Sequence, residues 1–419
     1  MAGRRFAEDV IVIGAGIAGI CAALALAKAG QRVALVERDA VPFNRASLRN
    51  EGKIHLGLIY AAERGRATAD LQLRGALHFS RLLRQWTGGR SDRLSRSRPF
   101  AYLVERSSIL SPDALSEHYA HVEARCRAAL SDEPGLDYLG ARPERLVRPM
   151  SRSDLAGHFA PDRFLAGFHT EEVAIDPAEL GEVLVAALRA EDRIALLAGH
   201  DVRSAERTAS GFRLEGAGPE GRWGAEASQV VNAAWDDLYR LDRQAGLEPP
   251  AGWLLRLKYR ALAHLPPALR EAPSATLVLG PFGDVVVRPD GTGYLSWYPV
   301  GLKGWSHDLT PPADWDAACT GTEGPERAGA IGAAILAEID RWMPGMAGAA
   351  IHQVDAGAIL AHGRSDVDDP ESGLHGRGLS GIASRDGWHS FNPGKLTTAP
   401  LFAEEAARVV LGQPSAVPA

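Results

Sequence analysis

The chain has 419 residues, 46% of them apolar and 23% charged, with a formal net charge of −6, a balance that suits a globular protein long enough for two domains. The acidic charge and the lack of a Lys/Arg-rich stripe exclude a nucleic-acid partner and an electrostatic membrane-surface role, and no apolar run reaches the roughly 18 residues of a membrane span. Cys21, Cys126 and Cys319 are scattered, with no Cys-x-x-Cys and no histidine cluster at ligand spacing, which excludes a zinc or disulfide framework and points to a reducing, cytoplasmic address.

The apolar run Val10 to Ile13 predicts a strand that enters Gly14-Ala15-Gly16-Ile17-Ala18-Gly19. Gly14 permits the tight turn, Gly16 lets the backbone approach a pyrophosphate, and Gly19 lets the next helix pack close to the strand. That helix reads through Ala22 to Ala29, with Gly30 as a left-handed stop, and a second strand, Arg32 to Val36, delivers Glu37. A carboxylate there accepts both ribose hydroxyls and repels a 2′-phosphate, so the turn suits NAD or the adenosine half of FAD and not NADP. The arginines between Arg90 and Arg98 read as a solvated loop. Asp176 as N-cap, Pro177 at the first helical position and Glu179 in the first turn open a helix to about Arg189, and a strand follows over Arg193 to Leu197.

A β-rich stretch then covers Asp201-Val202-Arg203, Gly211 to Leu214 and Arg222-Trp223, and it ends in the strand Gln229 to Trp235, where Ala233 and Ala234 allow close backbone approach. Further strands are expected over Thr276 to Leu279, Asp284 to Val287 and Tyr294 to Tyr298, with Arg288-Pro289-Asp290-Gly291 as a hairpin turn. Near the C-terminus, Trp388 to Pro400 leads into a helical run, Leu401 to Arg408, and residues from Gln413 onward read as a frayed tail. The order implies a discontinuous α/β cofactor domain over 1–88, 161–239 and 346–419, with an inserted α+β substrate domain built on an antiparallel sheet over 89–160 and 240–345.

Two strings decide between cofactors: Arg45-Ala46-Ser47-Leu48-Arg49-Asn50-Glu51-Gly52-Lys53-Ile54-His55-Leu56-Gly57-Leu58-Ile59-Tyr60, and Trp388 to Pro400 with its Gly394-Lys395-Leu396-Thr397-Thr398 core. With Glu37, the Asp176-Pro177 helix and Val231-Asn232-Ala233-Ala234, they resemble the D-amino-acid-oxidase-like (DAO) superfamily of FAD-dependent oxidoreductases, in particular its glycerol-3-phosphate and L-2-hydroxyglutarate dehydrogenase branches. The resemblance implies a Rossmann-type FAD-binding domain. It also implies a non-covalent FAD held by Gly14, Ala15, Gly16, Ile17, Ala18, Gly19, Glu37, Arg38, Ser47, Gly52, Lys53, Ile54, Val202, Ala233, Ala234, Gly394, Lys395, Leu396 and Thr397. Physically, a glycine-rich turn opening a helix offers N–H groups and a positive dipole end to the flavin N1–C2=O edge, and Lys395 adds a charge there.

By the same resemblance His55 points near the reactive face as a proton-handling group, alongside Lys53. The glycerol-3-phosphate enzymes carry arginines in strings matching His55 to Tyr60 and Ala356 to Leu360, and both positions are isoleucine here. Losing two phosphate or carboxylate forks disfavours glycerol 3-phosphate and weakens the case for a small anionic substrate, although Arg364 lies close enough in sequence to compensate. Lys258, at the start of the strand expected to floor the site, is a candidate for assisting oxygen chemistry or a plain solvated lysine. Trp297, Tyr298 and Trp388 are candidates for an aromatic wall or for core. The expected function is oxidation of a CH–OH or CH–NH group of a small polar metabolite by hydride transfer to flavin N5, with oxygen, a quinone or a protein as electron acceptor. The alternatives are an FAD monooxygenase, whose Gly-Asp pair is missing from Gly381 to Asp386, and a redox-silent FAD-stabilised scaffold.

Overall fold

The computed structural model describes residues 8–280, 282–363, 376 and 378–414. Two sheets organise it. The first has six strands in the order Gly381–Arg385, Trp388–Asn392, Val230–Asn232, Val10–Ile13, Val33–Glu37 and Ile194–Ala198. All neighbours run parallel except the hairpin at the Gly381–Arg385 edge. Its central strands read Val-Ile-Val-Ile and Val-Ala-Leu-Val-Glu and are buried along their whole length, because a parallel sheet is covered on both faces.

The alternation of side chains divides what covers them. Val10, Val12, Val33 and Leu35 join a core with the helices Ile17–Lys28, Pro177–Arg189 and Ala399–Val410. Ile11, Ile13, Ala34 and Val36 instead meet Val202, Ala205, Phe212 and Leu214, which belong to a three-stranded antiparallel sheet over Asp201–Thr208, Gly211–Gly218 and Gly221–Ala227. Asp176 caps Pro177–Arg189 by accepting from Ala178 N–H at 2.7 Å, and Gly30 stands at φ +93° just beyond the first helix, both as its residue type requires.

The second sheet has nine strands, running from Leu302–Ser306 at one edge through Trp253–His264, Thr292–Trp297, Gly283–Val287, Ser274–Val278, Phe100–Glu105 and Phe164–Thr170 to Val147–Pro149. Ala350–His362 pairs antiparallel with Trp253–His264 from His264 to Trp253, and Arg288 to Gly291 turn the expected hairpin. Helix Pro325–Asp340 covers this sheet through Ile331, Ile335 and Ile339.

Two strands that lie within the segments 161–239 and 346–419, assigned to the cofactor domain from the sequence, pair in the second sheet: Phe164–Thr170 and Ala350–His362. The cause is pairing, since Ala350–His362 satisfies its backbone along almost the full length of Trp253–His264. The string from Arg45 to Tyr60 forms no long strand. It threads between the two sheets, with Ile54 N–H bonded to Val173 O at 3.0 Å and Ile175 N–H to Gly52 O at 2.9 Å. Among the described residues no helix is long and apolar enough to cross a membrane.

Candidate active site

One cavity runs between the sheets from the first glycine turn to the face of the second sheet, and its wall includes Gly14, Gly16, Glu37, Lys53, Lys258 and Lys395. At the turn, Gly14 has φ +92°, and a Cβ there would lie 2.7 Å from Ala233 O. A Cβ on Gly16 would meet Ser47 Oγ at 2.8 Å, and one on Gly19 would overlap the Gly14 carbonyl at 1.7 Å. The three glycines thus permit a close packing of turn, helix and neighbouring strand at the head of helix Ile17–Lys28 that any side chain would break.

Glu37, at the end of its strand, accepts from Ala15 N–H at 2.7 Å and from Asp39 N–H at 2.8 Å. Burial raises its carboxyl, and these two donors pull against that. Ser47 Oγ accepts from Ile17 N–H at 2.9 Å, so the Arg45 to Tyr60 string caps the helix whose own N-cap, Gly16, has no side chain to do so. Arg38 holds Asp236 bidentately at 2.7 and 2.8 Å. Ile17, Ala18, Arg38, Ser47, Val202, Ala233 and Ala234 also line the cavity.

At its other end the cavity is charged. Lys53, almost fully buried, reaches Asp284 Oδ1 at 3.1 Å and Thr276 Oγ1 at 2.5 Å, and lies 3.9 Å from the centre of the Phe100 ring. Lys258 points from Trp253–His264 toward the Tyr298 ring, 4.2 Å from its centre, and Arg256 lies 5.3 Å from that ring and 4.8 Å from Trp305. Burial raises the Tyr298 phenol, but Lys258, Arg256 and Lys395 more than offset it and leave it lowered. Gly394, Lys395 and Leu396 complete the wall from the turn that opens Ala399–Val410.

Five of the expected cofactor residues are not on the wall. Ala15 lends its N–H to Glu37, Gly19 packs on the turn, and Ile54 is core. Gly52 stands at φ +75°, where a Cβ would lie 2.0 Å from Ile175 O, and Thr397 Oγ1 accepts from His55 N–H at 2.9 Å. His55 itself is 5% exposed and wedged between Glu172 and Glu51. Of the three aromatic residues expected at the site, Tyr298 reaches the cavity; Trp297 packs on Phe282 and Trp342, and Trp388 packs on Phe212 while donating to Asp242. Arg364 lies outside the described residues.

Four residues at this end escape sequence reasoning: Glu51, Glu172, Arg256 and Asp284. Glu51 sits inside the string that resembles a flavin motif, yet nothing in its spacing pairs it with Lys258. Arg256 and Lys258 alternate onto one face of a strand, and that alternation is the one signal that places both at the cavity.

The family model for the FAD dependent oxidoreductase, DAO, matches residues 9–409. A curated relative, the tRNA 5-methylaminomethyl-2-thiouridine biosynthesis bifunctional protein MnmC of Chromohalobacter salexigens, is 35% identical over 164 residues, 36% of this chain and 23% of that protein. The match thus spans about a quarter of the relative's length. Among solved structures, glycine oxidase from Geobacillus kaustophilus superposes with a TM-score of 0.68 at 16% identity, covering 98% of this chain and 96% of that one. L-Amino acid deaminase from Proteus vulgaris gives 0.67 at 16% identity, covering 100% and 97%. L-α-Glycerophosphate oxidase from Mycoplasma pneumoniae with FAD bound gives 0.64 at 16% identity, covering 98% and 97%. At such identities these likenesses show the fold alone.

Proposed function

We propose that this chain, which belongs to the DAO family of FAD dependent oxidoreductases, oxidises a CH–NH or CH–OH group of a small polar metabolite in the charged chamber at the second sheet. The observation that carries the reading is the continuity of the cavity: a nucleotide-shaped turn at one end opens into a chamber of ionised side chains at the other. The residues fit FAD, because Gly14 and Gly16 put bare backbone on the cavity wall at the head of a helix and Glu37 is fixed at the ribose position of such a turn. In this reading Gly14, Gly16, Glu37, Ser47, Ala233 and Val202 hold the adenosine and pyrophosphate, while Lys53, Gly394, Lys395 and Leu396 hold the ring end. The bound FAD supplies a two-electron acceptor that takes hydride at flavin N5.

The chain's own residues do the rest. Arg256, Lys258 and Tyr298 give the chamber a cationic side that orients a polar substrate and favours an acidic substituent, in place of the two arginines missing from the resembling strings. Lys53 is neutralised by Asp284, which leaves Lys258 as the cation more available to a ligand. Attachment of FAD is non-covalent: Cys319 is on the wall, but burial holds its thiol up at about 11, where it is not a nucleophile, and His55 is engaged by Glu172. The three free, buried cysteines support a cytoplasmic address.

The test is anaerobic screening of amines and alcohols, with and without an acidic group, for bleaching of the bound flavin. Heat-released ligand identified by mass spectrometry should be FAD. A colourless protein indifferent to added FAD, or a yellow one that no amine or alcohol bleaches, overturns the reading.

A further inference from the structure

The chamber contains a row of acid and imidazole groups that substrate orientation does not use. His55 Nδ1 lies 3.1 Å from Glu172 Oε1. Glu172 is fully buried and also accepts from the Tyr102 hydroxyl, 3.1 Å from each carboxylate oxygen. On the other side of the ring, His55 Nε2 is 3.6 Å from Glu51 Oε1 and, although buried, has no hydrogen-bond partner. Glu51 and His55 both lie on the cavity wall and Glu172 does not, so the row leaves the cavity through His55 to Glu172 and Tyr102.

A fully buried carboxylate needs hydrogen-bond donors. Glu172 therefore fixes the ring with its hydrogen on Nδ1, and the lone pair on Nε2 faces Glu51. The distance of 3.6 Å is longer than a hydrogen bond, a gap that rotation about a Glu51 side-chain bond closes.

We infer that Glu51 accepts the proton released as the substrate's C–NH or C–OH becomes C=N or C=O and passes it to Nε2 of His55, with Glu172 as the positioning residue behind the ring. This rests on the reading of the chain as an amine or alcohol oxidoreductase. The C–H hydrogen leaves with its electron pair to FAD. The N–H or O–H bond breaks, its pair becomes the second bond to carbon, and the proton bonds to a Glu51 oxygen. That O–H bond then breaks as N–H forms at Nε2, which leaves Glu51 ionised and an imidazolium between two carboxylates until the proton is released to water. Burial raises the Glu51 carboxyl, but the protonated His55 ring, Lys395 and Lys258 together hold it well below the usual carboxylate range. It thus has little hold on a proton, whereas an imidazole ordinarily binds one about two pH units more tightly than a carboxylate. The other groups facing this row are the Tyr60 ring at 5.6 Å from His55 and, around Glu51, Asp284, Tyr294 and Tyr298.

The test needs no substrate. Imidazole ¹⁵N shifts are followed against pH in the holoenzyme, with the His55→Gln variant assigning the resonance. The expected wild-type ring is the Nδ1–H tautomer at high pH and gains its second proton at Nε2. Glu51→Gln should move the Nε2 resonance, and Glu172→Gln should admit the Nε2–H tautomer. A wild-type Nε2–H tautomer, or an Nε2 resonance that Glu51→Gln leaves unmoved, overturns the relay. With any compound that bleaches the flavin, Glu51→Gln should slow the bleaching by about 10²–10⁴-fold; an unchanged rate overturns the proton-accepting role of Glu51. Failure of every compound in the screen counts against the oxidoreductase reading, while the ¹⁵N titration still decides the relay.

Discussion

Glu37 has one job that its hydrogen bonds show and a second, holding the ribose, that the proposed function gives it. It ties Ala15 N–H and Asp39 N–H and so shapes the turn before any ribose arrives. Glu37→Gln removes a charge-assisted acceptor worth about 1.5–3 kcal/mol, so the Kd for FAD should rise by about 10- to 100-fold when the apoprotein is titrated and its tryptophan fluorescence followed. Unchanged affinity would leave Glu37 as a turn residue only. Lys53 makes a second case. With its ammonium almost wholly buried against Asp284 and Thr276, Lys53→Met leaves Asp284 without its main counter-charge and should cost about 3 kcal/mol in urea unfolding. Adding Asp284→Asn should recover part of that loss, and additive losses would show that the pair is not coupled.

Among the elements, the seam between strands Val230–Asn232 and Trp388–Asn392 and helix Leu238–Gln244 turns on one carboxyl. Asp242 accepts from Asn232 Nδ2 at 2.8 Å, Trp388 Nε1 at 2.8 Å and Ser390 Oγ at 2.5 Å. Burial nevertheless pushes it up to about 6 from 3.8. The folded state then binds this proton more tightly than the unfolded chain, so the contribution is full below about pH 4 and is lost as pH rises through about 6. The loss amounts to about 3 kcal/mol by the usual conversion. Asp242→Asn should flatten that part of the stability profile measured by denaturant unfolding between pH 4 and 8, and an identical profile would remove Asp242 as its source.

For the molecule as a whole, the cavity lies between the two sheets, and its wall draws on the first strand, the Arg45 to Tyr60 string, the second sheet and the terminal turn together. A ligand filling it ties both sheets to one event. By mass action FAD at 100 times its Kd should stabilise the folded chain by about 2.7 kcal/mol. Removing FAD should therefore lower the melting temperature by several degrees, reversibly on its return, and in a single transition if the sheets unfold together. A melting temperature indifferent to FAD would show that the folded chain does not bind it.

The sequence alone determined local elements, most of them in the first sheet and its turns. The glycine turn, its helix, Glu37, the Asp176 cap, the Arg288 to Gly291 hairpin and the terminal Gly394 turn are all local, and local backbone chemistry dictates them: φ > 0, close approach, capping and period-2 or period-3.6 apolar patterns. Only the tertiary structure decided where Phe164–Thr170 and Ala350–His362 belong, because strand pairing depends on which distant edge is open. It alone also brought Glu51, His55 and Glu172 into one row, Lys53 onto Asp284, and Arg256 beside Tyr298. The reason is that a buried charge is held by partners far away in the chain, and no spacing in the sequence encodes those distances.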